Sequence, residues 1–184
     1  MAYWVSEPDS GQSNAINKGL KQATGAIFNW LNSDDILARG ALLKVGMAFG
    51  EGITCVTGDI RIFGLRSSVY NTAVVKGEHT MRYASIKQPS TYYAMSAVKR
   101  MGYLNEKLHY IMDYDWFMKY VITHELNSIV EVPEELAFFR LHDQSKTGQG
   151  ARLFEEHKEQ YWCEIIETAK GLKTGPTIEP WLAN

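Results

Sequence analysis

Apolar positions along this chain switch between helical spacing and short continuous runs, in an order that predicts alternating strands and helices. The run over 3–6 reads as a short strand, and a polar turn over 10–12 follows. Ala15, Ile16, Gly19, Leu20 and Ala23 then recur at helical spacing and predict a helix over 13–23. Ser13 is its expected N-cap and Gly25 its expected C-terminal cap, because a short hydroxyl satisfies free N–H groups and glycine tolerates left-handed backbone. Residues 26–31, Ala-Ile-Phe-Asn-Trp-Leu, are expected as a buried strand. A helix over 40–49, a strand over 53–57 and a hairpin through 59–70 come next.

Further along, a short helix over 97–101 is stopped by Gly102, and another starts at Asp113 or Tyr114 and reaches Thr123. Strands are expected over 129–132, ended by Pro133, and over 136–141. The polar stretch 143–150 reads as a lid, and 152–170 as an amphipathic helix. Early strand–helix alternation points to an α/β fold with a mainly parallel sheet.

Bulk properties narrow the picture. At 184 residues the chain is expected as one domain, 1–184, with a sizeable core. Hydrophobic residues at 45% and charged ones at 22% match ordinary globular usage. A net charge of −2 without runs of like charge argues against a nucleic-acid partner. No apolar run suits a membrane span and no signal peptide is seen, so a cytoplasmic location is expected. Cys55 and Cys163 are far apart and form no metal or redox motif. Trp116, Phe117, Tyr120, Phe138, Phe139, Tyr92 and Tyr93 are expected mostly in the core, although such rings also stack on sugars.

Asn32-Ser33-Asp34-Asp35 directly follows the apolar run 26–31. Two adjacent carboxylates delivered by a strand onto a loop suit a hard divalent cation, Mg²⁺ or Mn²⁺, which shares its shell with water and phosphates. A surface turn with Asp35 as helix N-cap is the plainer reading of the same residues.

The longer pattern Ser6-Glu7-Pro8-Asp9-Ser10-Gly11-Gln12-Ser13-Asn14-Ala15-Ile16-Asn17-Lys18-Gly19, then Ala23-Thr24-Gly25, then Trp30-Leu31-Asn32-Ser33-Asp34-Asp35, resembles the middle of a family 2 glycosyltransferase of the GT-A fold. The likeness continues through Gln88-Pro89-Ser90-Thr91, Gly102-Tyr103-Leu104, Met112-Asp113-Tyr114-Asp115 and Phe139-Arg140-Leu141-His142, covering residues 4 to about 147. It implies an α/β, GT-A-like, mostly parallel mixed sheet flanked by helices. The family's first strands, which hold the nucleotide base, are not matched, so an N-terminally truncated form with little transfer activity of its own is expected. Residues 1–70 correspond to the remaining donor and metal half, 71–147 to the acceptor and base half, and 148–184 to a C-terminal helix and tail.

The resemblance also implies site residues. Asp34 and Asp35 fall at the family's metal position, with Asn32 replacing its first acid and counted on the donor side. Asp113 falls at the catalytic base that gives inversion, although it also reads as an N-cap; Asp115 is the second choice, explained equally by an i,i+4 pair with Lys119. Arg140 and His142 resemble an Arg-x-His element at the diphosphate or metal, and alternate strand positions put them on one face. Asp9, Gly11, Gln12, Asn14 and Lys18 are expected near the donor, where a helix N-terminus suits an anion. Gln88 and Ser90 are expected on the acceptor side, with loop capping as the competing reading, and Lys146 either closes over phosphates or stays solvated.

The implied reaction is inverting transfer from a nucleotide-diphosphate sugar to a glycan or lipid-linked acceptor, in bacterial polysaccharide biosynthesis, with peripheral attachment to the inner face of the plasma membrane as a further expectation. Two alternatives remain open. A non-catalytic GT-A-fold protein would act by assembly, as a homo-oligomer through an exposed sheet edge. A metal-dependent nucleotidyltransferase would explain the Asp34-Asp35 loop but not the helix bearing Asp113.

Overall fold

A computed structural model describes residues 4–73, 87–124, 126–146 and 156–161. Six strands form one mixed sheet in the order β1-β5-β3-β6-β2, with β4 beside β3. These are β1 (Ile27–Phe28), β2 (Ile36–Leu37), β3 (Cys55–Gly64), β4 (Ser68–Tyr70), β5 (Thr91–Ala94) and β6 (Ile129–Leu141). The longest ladder, β3 with β6, is parallel and runs from Cys55↔Ile129 to Gly64↔Leu141. β5 and β4 share the other edge of β3, both antiparallel, β5 at Cys55–Thr57 and β4 at Ile60–Ile62. Short antiparallel ladders join β1 to β5 and β2 to β6.

Alternation along β3 sorts its side chains onto two faces. Cys55 packs with Tyr93, Ile129, Trp116 and Tyr120 beneath three helices, α1 (Gln12–Gln22), α3 (Met95–Met101) and α4 (Met112–Thr123). Val56 packs on the opposite face with Tyr92 and Leu136 against Ala41 and Val45 of α2 (Ala41–Ala48). The sheet is thus covered on both sides, as an α/β arrangement requires. Trp116 and Tyr120 are fully buried, which fixes α4 against the sheet. Of the aromatic residues expected mostly in the core, Trp116, Phe117, Tyr120, Tyr92 and Tyr93 are buried, whereas Phe138 and Phe139 are half-buried.

Several expectations shift in detail. Residues 4–6 form no strand, and Trp4 is 75% exposed because no described strand runs beside it. Gly11 caps α1 with φ 138, a conformation favouring glycine, whereas Ser13 is buried with its hydroxyl donating to Met112 Sδ at 3.0 Å. The helix closes on Ala23 in an extended conformation, so Gly25 is not its cap. Only Ile27 and Phe28 of the run 26–31 pair as strand.

The two strands expected around Pro133 are a single strand, β6. Its register against β3 slips on both sides of Asp59, and that irregularity accommodates a proline that has no N–H to donate. The hairpin, the helix near 40–49 and the helix stop at Gly102 (φ 81) occur as expected. Thr147 to Gly150 of the lid, most of the expected helix 152–170, and Cys163 lie outside the described residues.

Candidate active site

β1 ends by delivering Asn29 to Asp35 onto the edge of the sheet, where side chains replace backbone pairing. Asn29 Nδ2 donates to Thr91 O at 2.7 Å, and Gln88 Nε2 donates to Trp30 O. Asn32 is the hub. Its Nδ2 donates to Asp35 Oδ2 at 3.1 Å and to Gln88 Oε1 at 3.3 Å, and its Oδ1 accepts from Gln12 Nε2 at 2.7 Å. Gln12 Oε1 in turn accepts from Lys146 Nζ at 2.9 Å, and Lys146 also donates to His109 O at 2.7 Å. The start of α1, the acidic loop, the loop before β5 and the segment after β6 therefore meet in one place.

The two acids of the loop have separate fates. Asp35 is 7% exposed and turned inward, Oδ1 accepting from the Arg140 backbone N–H at 3.1 Å. Burial raises its pKa, against the lowering effect of the Arg140 and Asn32 hydrogen bonds, and Asp34 next door raises it further. Asp35 is thus a brace between β2 and β6, which corrects its expected role beside Asp34 as a ligand. Asp34 faces outward, its Oδ2 lying 2.9 Å from His142 Nε2, and both side chains are about one-third exposed, 32% and 35%.

Among the described residues no three His, Cys, Asp or Glu side chains form a ready-made metal cage. Asp34 and His142 nonetheless fit an ion that draws the rest of its shell from water and phosphate oxygens, since a carboxylate and an imidazole converge on one accessible point.

Asp113 sits in the first turn of α4, held there by the burial of Trp116 and Tyr120 one and two turns on. It is not the N-cap; that position is Ile111. Asp113 Oδ1 accepts from the Tyr114 N–H at 2.9 Å, and no hydrogen bond among the described residues engages Oδ2. Desolvation raises its pKa, while hydrogen bonds from helix-start N–H groups and the charges of Lys146 and Lys87 pull it down. Lys146 itself bonds into the Gln12–Asn32 network and to His109 O in the segment before α4.

Asp115 points the other way. It is 1% exposed, paired with Lys119 at 3.4 Å, and accepts from Tyr161 OH at 2.9 Å. It ties α4 to the helical turn at 156–161, so the second choice for the base is excluded by its burial. Ser90 is fully buried with its hydroxyl donating to Gly58 O at 2.6 Å, so it cannot touch an acceptor. Gln88 belongs to the Asn32 network on the donor side.

Asp9 shapes the turn before α1, its Oδ1 accepting from Gly11 N at 2.9 Å. Asn14 donates to Glu106 at 3.0 Å, and Lys18 is bound to Glu7 and Pro8 O, each at 2.8 Å. Of the donor-side expectations, Gln12 and Asn32 thus enter the cleft network, whereas Asn14 is turned to Glu106 and Lys18 is engaged within the N-terminal segment. The Arg140 side chain is exposed beside this region. Sequence reasoning passed over Lys87 and His109; a lysine directly preceding Gln88-Pro89-Ser90 was the available signal for the first, and nothing in the local pattern marked the second.

The family model for glycosyl transferase family 2 matches residues 3–123. No curated protein matches the chain. Three structures of S. aureus TarS share the fold. TarS 1–349 in complex with UDP-GlcNAc has a TM-score of 0.64 at 17% identity over 88% of this chain and 49% of that one. TarS itself has a TM-score of 0.58 at 20% identity, with 96% of this chain and 36% of that one covered. TarS 1–349 alone has 0.56 at 19% identity, covering 96% and 59%. The chain therefore spans between 36% and 59% of the length of these structures.

Proposed function

Because the chain belongs to glycosyl transferase family 2, we propose that it transfers a sugar from a nucleotide-diphosphate donor to a hydroxyl of a glycan or lipid-linked acceptor, with inversion. The observation that carries this reading is Asp113: a half-buried carboxylate whose Oδ2 is unengaged among the described residues, at the start of a helix whose preceding segment is tied through His109 O, Lys146 and Gln12 to the loop that bears Asp34. A general base needs that combination of accessibility and elevated pKa.

In the reaction, Asp113 Oδ2 takes the acceptor's hydroxyl proton as that oxygen attacks the anomeric carbon. The new carbon–oxygen bond forms on the face opposite the diphosphate, and the sugar–phosphate bond breaks with its electron pair leaving on the phosphate oxygen. Asp34 and His142 would hold Mg²⁺ or Mn²⁺; when bound, such an ion neutralises charge on the departing diphosphate. Asn32 and Gln12 fix the loop that carries Asp34, and Arg140 lies close enough in sequence and exposure to meet the same anion. Among the described residues no helix is long and apolar enough to cross a membrane.

Calorimetric titration with Mn²⁺ and a panel of UDP-, GDP- and dTDP-sugars tests the reading, with UDP-GlcNAc, the ligand in one TarS structure, first in line. We expect metal-dependent binding, weakened about tenfold or more by Asp34→Ala, a loss of about 1.4 kcal/mol. Asp113→Asn should retain that binding while abolishing release of nucleoside diphosphate in the presence of acceptor. Metal-independent binding, or release of pyrophosphate, would contradict the proposal. Self-association unchanged by Asp34→Ala and Asp113→Ala, in a chain that binds no nucleotide sugar, would favour the assembly alternative.

A further inference from the structure

Gly102, at φ 81, stops α3, and the two side chains after it part: Leu104 is buried in the core, whereas Tyr103 stands 45% exposed. Beside that ring lies a cleft of about 280 Å³, with α1 as one wall and the segment 103–107 as the other. Asn17 of α1 fixes the two walls together. Its Nδ2 donates to Leu104 O and to Glu106 Oε1, and its Oδ1 accepts from the Leu104 N–H, each at 2.9 Å. Asn14, one turn earlier, donates to the other Glu106 oxygen at 3.0 Å. These bonds hold the Glu106 carboxyl below the usual glutamate range, Asn17 contributing most. Lys107 N donates to Asn105 Oδ1 at 3.0 Å, which tightens the turn that bears them. Lys21, one turn beyond Asn17, places its Nζ 5.5 Å from the centre of the Tyr103 ring.

The cleft thus presents an aromatic surface, a carboxylate, side-chain amides and the ammonium groups of Lys21 and Lys107, on walls braced before anything binds. A pyranose matches that mixture. Its C–H face packs on an aromatic ring, and its hydroxyls donate to a carboxylate and accept from ammonium and amide N–H groups. One hydrogen bond on each Glu106 oxygen leaves a second lone pair there for a sugar hydroxyl. A free anion would face the Glu106 carboxylate, and the volume lies at the small end for ligand pockets, closer to one sugar ring than to a nucleotide sugar. Building on the transferase reading above, we infer that this cleft is a subsite for an uncharged pyranose unit of the acceptor glycan, separate from the unit whose hydroxyl reacts. The segment that forms its wall runs on to His109, whose carbonyl accepts from Lys146, and then to the start of α4. One short stretch of chain therefore carries both the subsite and the approach to Asp113.

The test is an amide ¹⁵N NMR titration of the full chain with cellotriose, maltotriose or triacetylchitotriose at millimolar concentration, without donor or metal. At least one of these trisaccharides should shift the amides of Lys21 and of residues 103–107. Tyr103→Ala should weaken that binding about tenfold or more, while Tyr103→Phe, which keeps the ring, should bind like the parent. Tyr103 is exposed, so its removal leaves the core intact, and the spectrum of the variant reports its fold. Inorganic phosphate should leave the same amides in place. No shift with any of the trisaccharides, a Tyr103→Ala variant that binds as tightly as the parent, or shifts produced by phosphate alone would overturn the inference. The titration involves no nucleotide sugar. A failure of nucleotide-sugar binding would therefore count against the proposed function alone, and unmoved cleft amides against this inference alone.

Discussion

Asp113 and Asp35 are both acids with raised pKa values, yet their surroundings give them opposite work. Asp35 spends both oxygens on the fold, through Arg140 N and Asn32 Nδ2, whereas Asp113 spends one and keeps the other. A raised folded-state pKa means that the folded chain holds a proton the unfolded chain has already released. The associated stability is complete below the ordinary aspartate range and is lost as pH rises through the raised folded value. Asp113→Asn cannot lose that proton. Its melting temperature relative to the parent should therefore climb as pH rises above the ordinary aspartate range, as read by thermal melts across a pH series. A difference that stays flat would place the Asp113 carboxyl in an unperturbed setting.

Ser90 carries a contrasting prediction, because its hydroxyl is buried on Gly58 O. Ser90→Ala should cost about 1 kcal/mol in denaturant unfolding and leave the acceptor KM unchanged. The loop acids were visible in the sequence as a pair. That one turns inward was not, since direction depends on the Arg140 amide arriving from a strand more than a hundred residues away.

Strand β6 shows what element-scale reading can and cannot do. The apolar runs on either side of Pro133 were legible, and so was the break between them. What joins them is the partner strand: Gly58 offers no side chain opposite Leu136, and a Cβ there would sit 2.6 Å from Leu136 Cδ1. Gly58→Ala should therefore destabilise the β3–β6 ladder, since Leu136 is wholly buried and cannot swing into solvent. Unfolding in urea should show a loss of about 1–3 kcal/mol. Helix α4 is anchored differently, by side-chain volume. Trp116→Ala should cost about 3–5 kcal/mol and, by loosening the helix that presents Asp113, lower any transfer activity as well. The helices were well marked in sequence because their spacing and their glycine punctuation are local. Strand β2 was not, and β1 reads as a longer run than the two residues that pair, because pairing across a sheet is decided by the neighbour.

Taken whole, the molecule ties the loop that bears Asp34 to the segment before α4 by a chain of hydrogen bonds from Asn32 through Gln12 and Lys146 to His109 O. The family pattern in the sequence named the Asn32 end of that chain but not His109 at the other. Lys146 reads in the sequence as a phosphate contact or a solvated side chain, whereas Lys87 reads only as part of a loop, since a single lysine in a polar stretch has no periodicity to betray it.

The central claim is that Asp34 and Asp113 serve a single cleft. Paramagnetic broadening of the ¹⁵N-labelled chain by Mn²⁺ with UDP measures this directly. The account predicts strongest broadening at Asp34 and His142, extending across the cleft to the amides of Asp113 and Tyr114 and sparing the Gly50–Gly52 turn. Broadening that never reaches the start of α4, or that centres on another part of the surface, would contradict it.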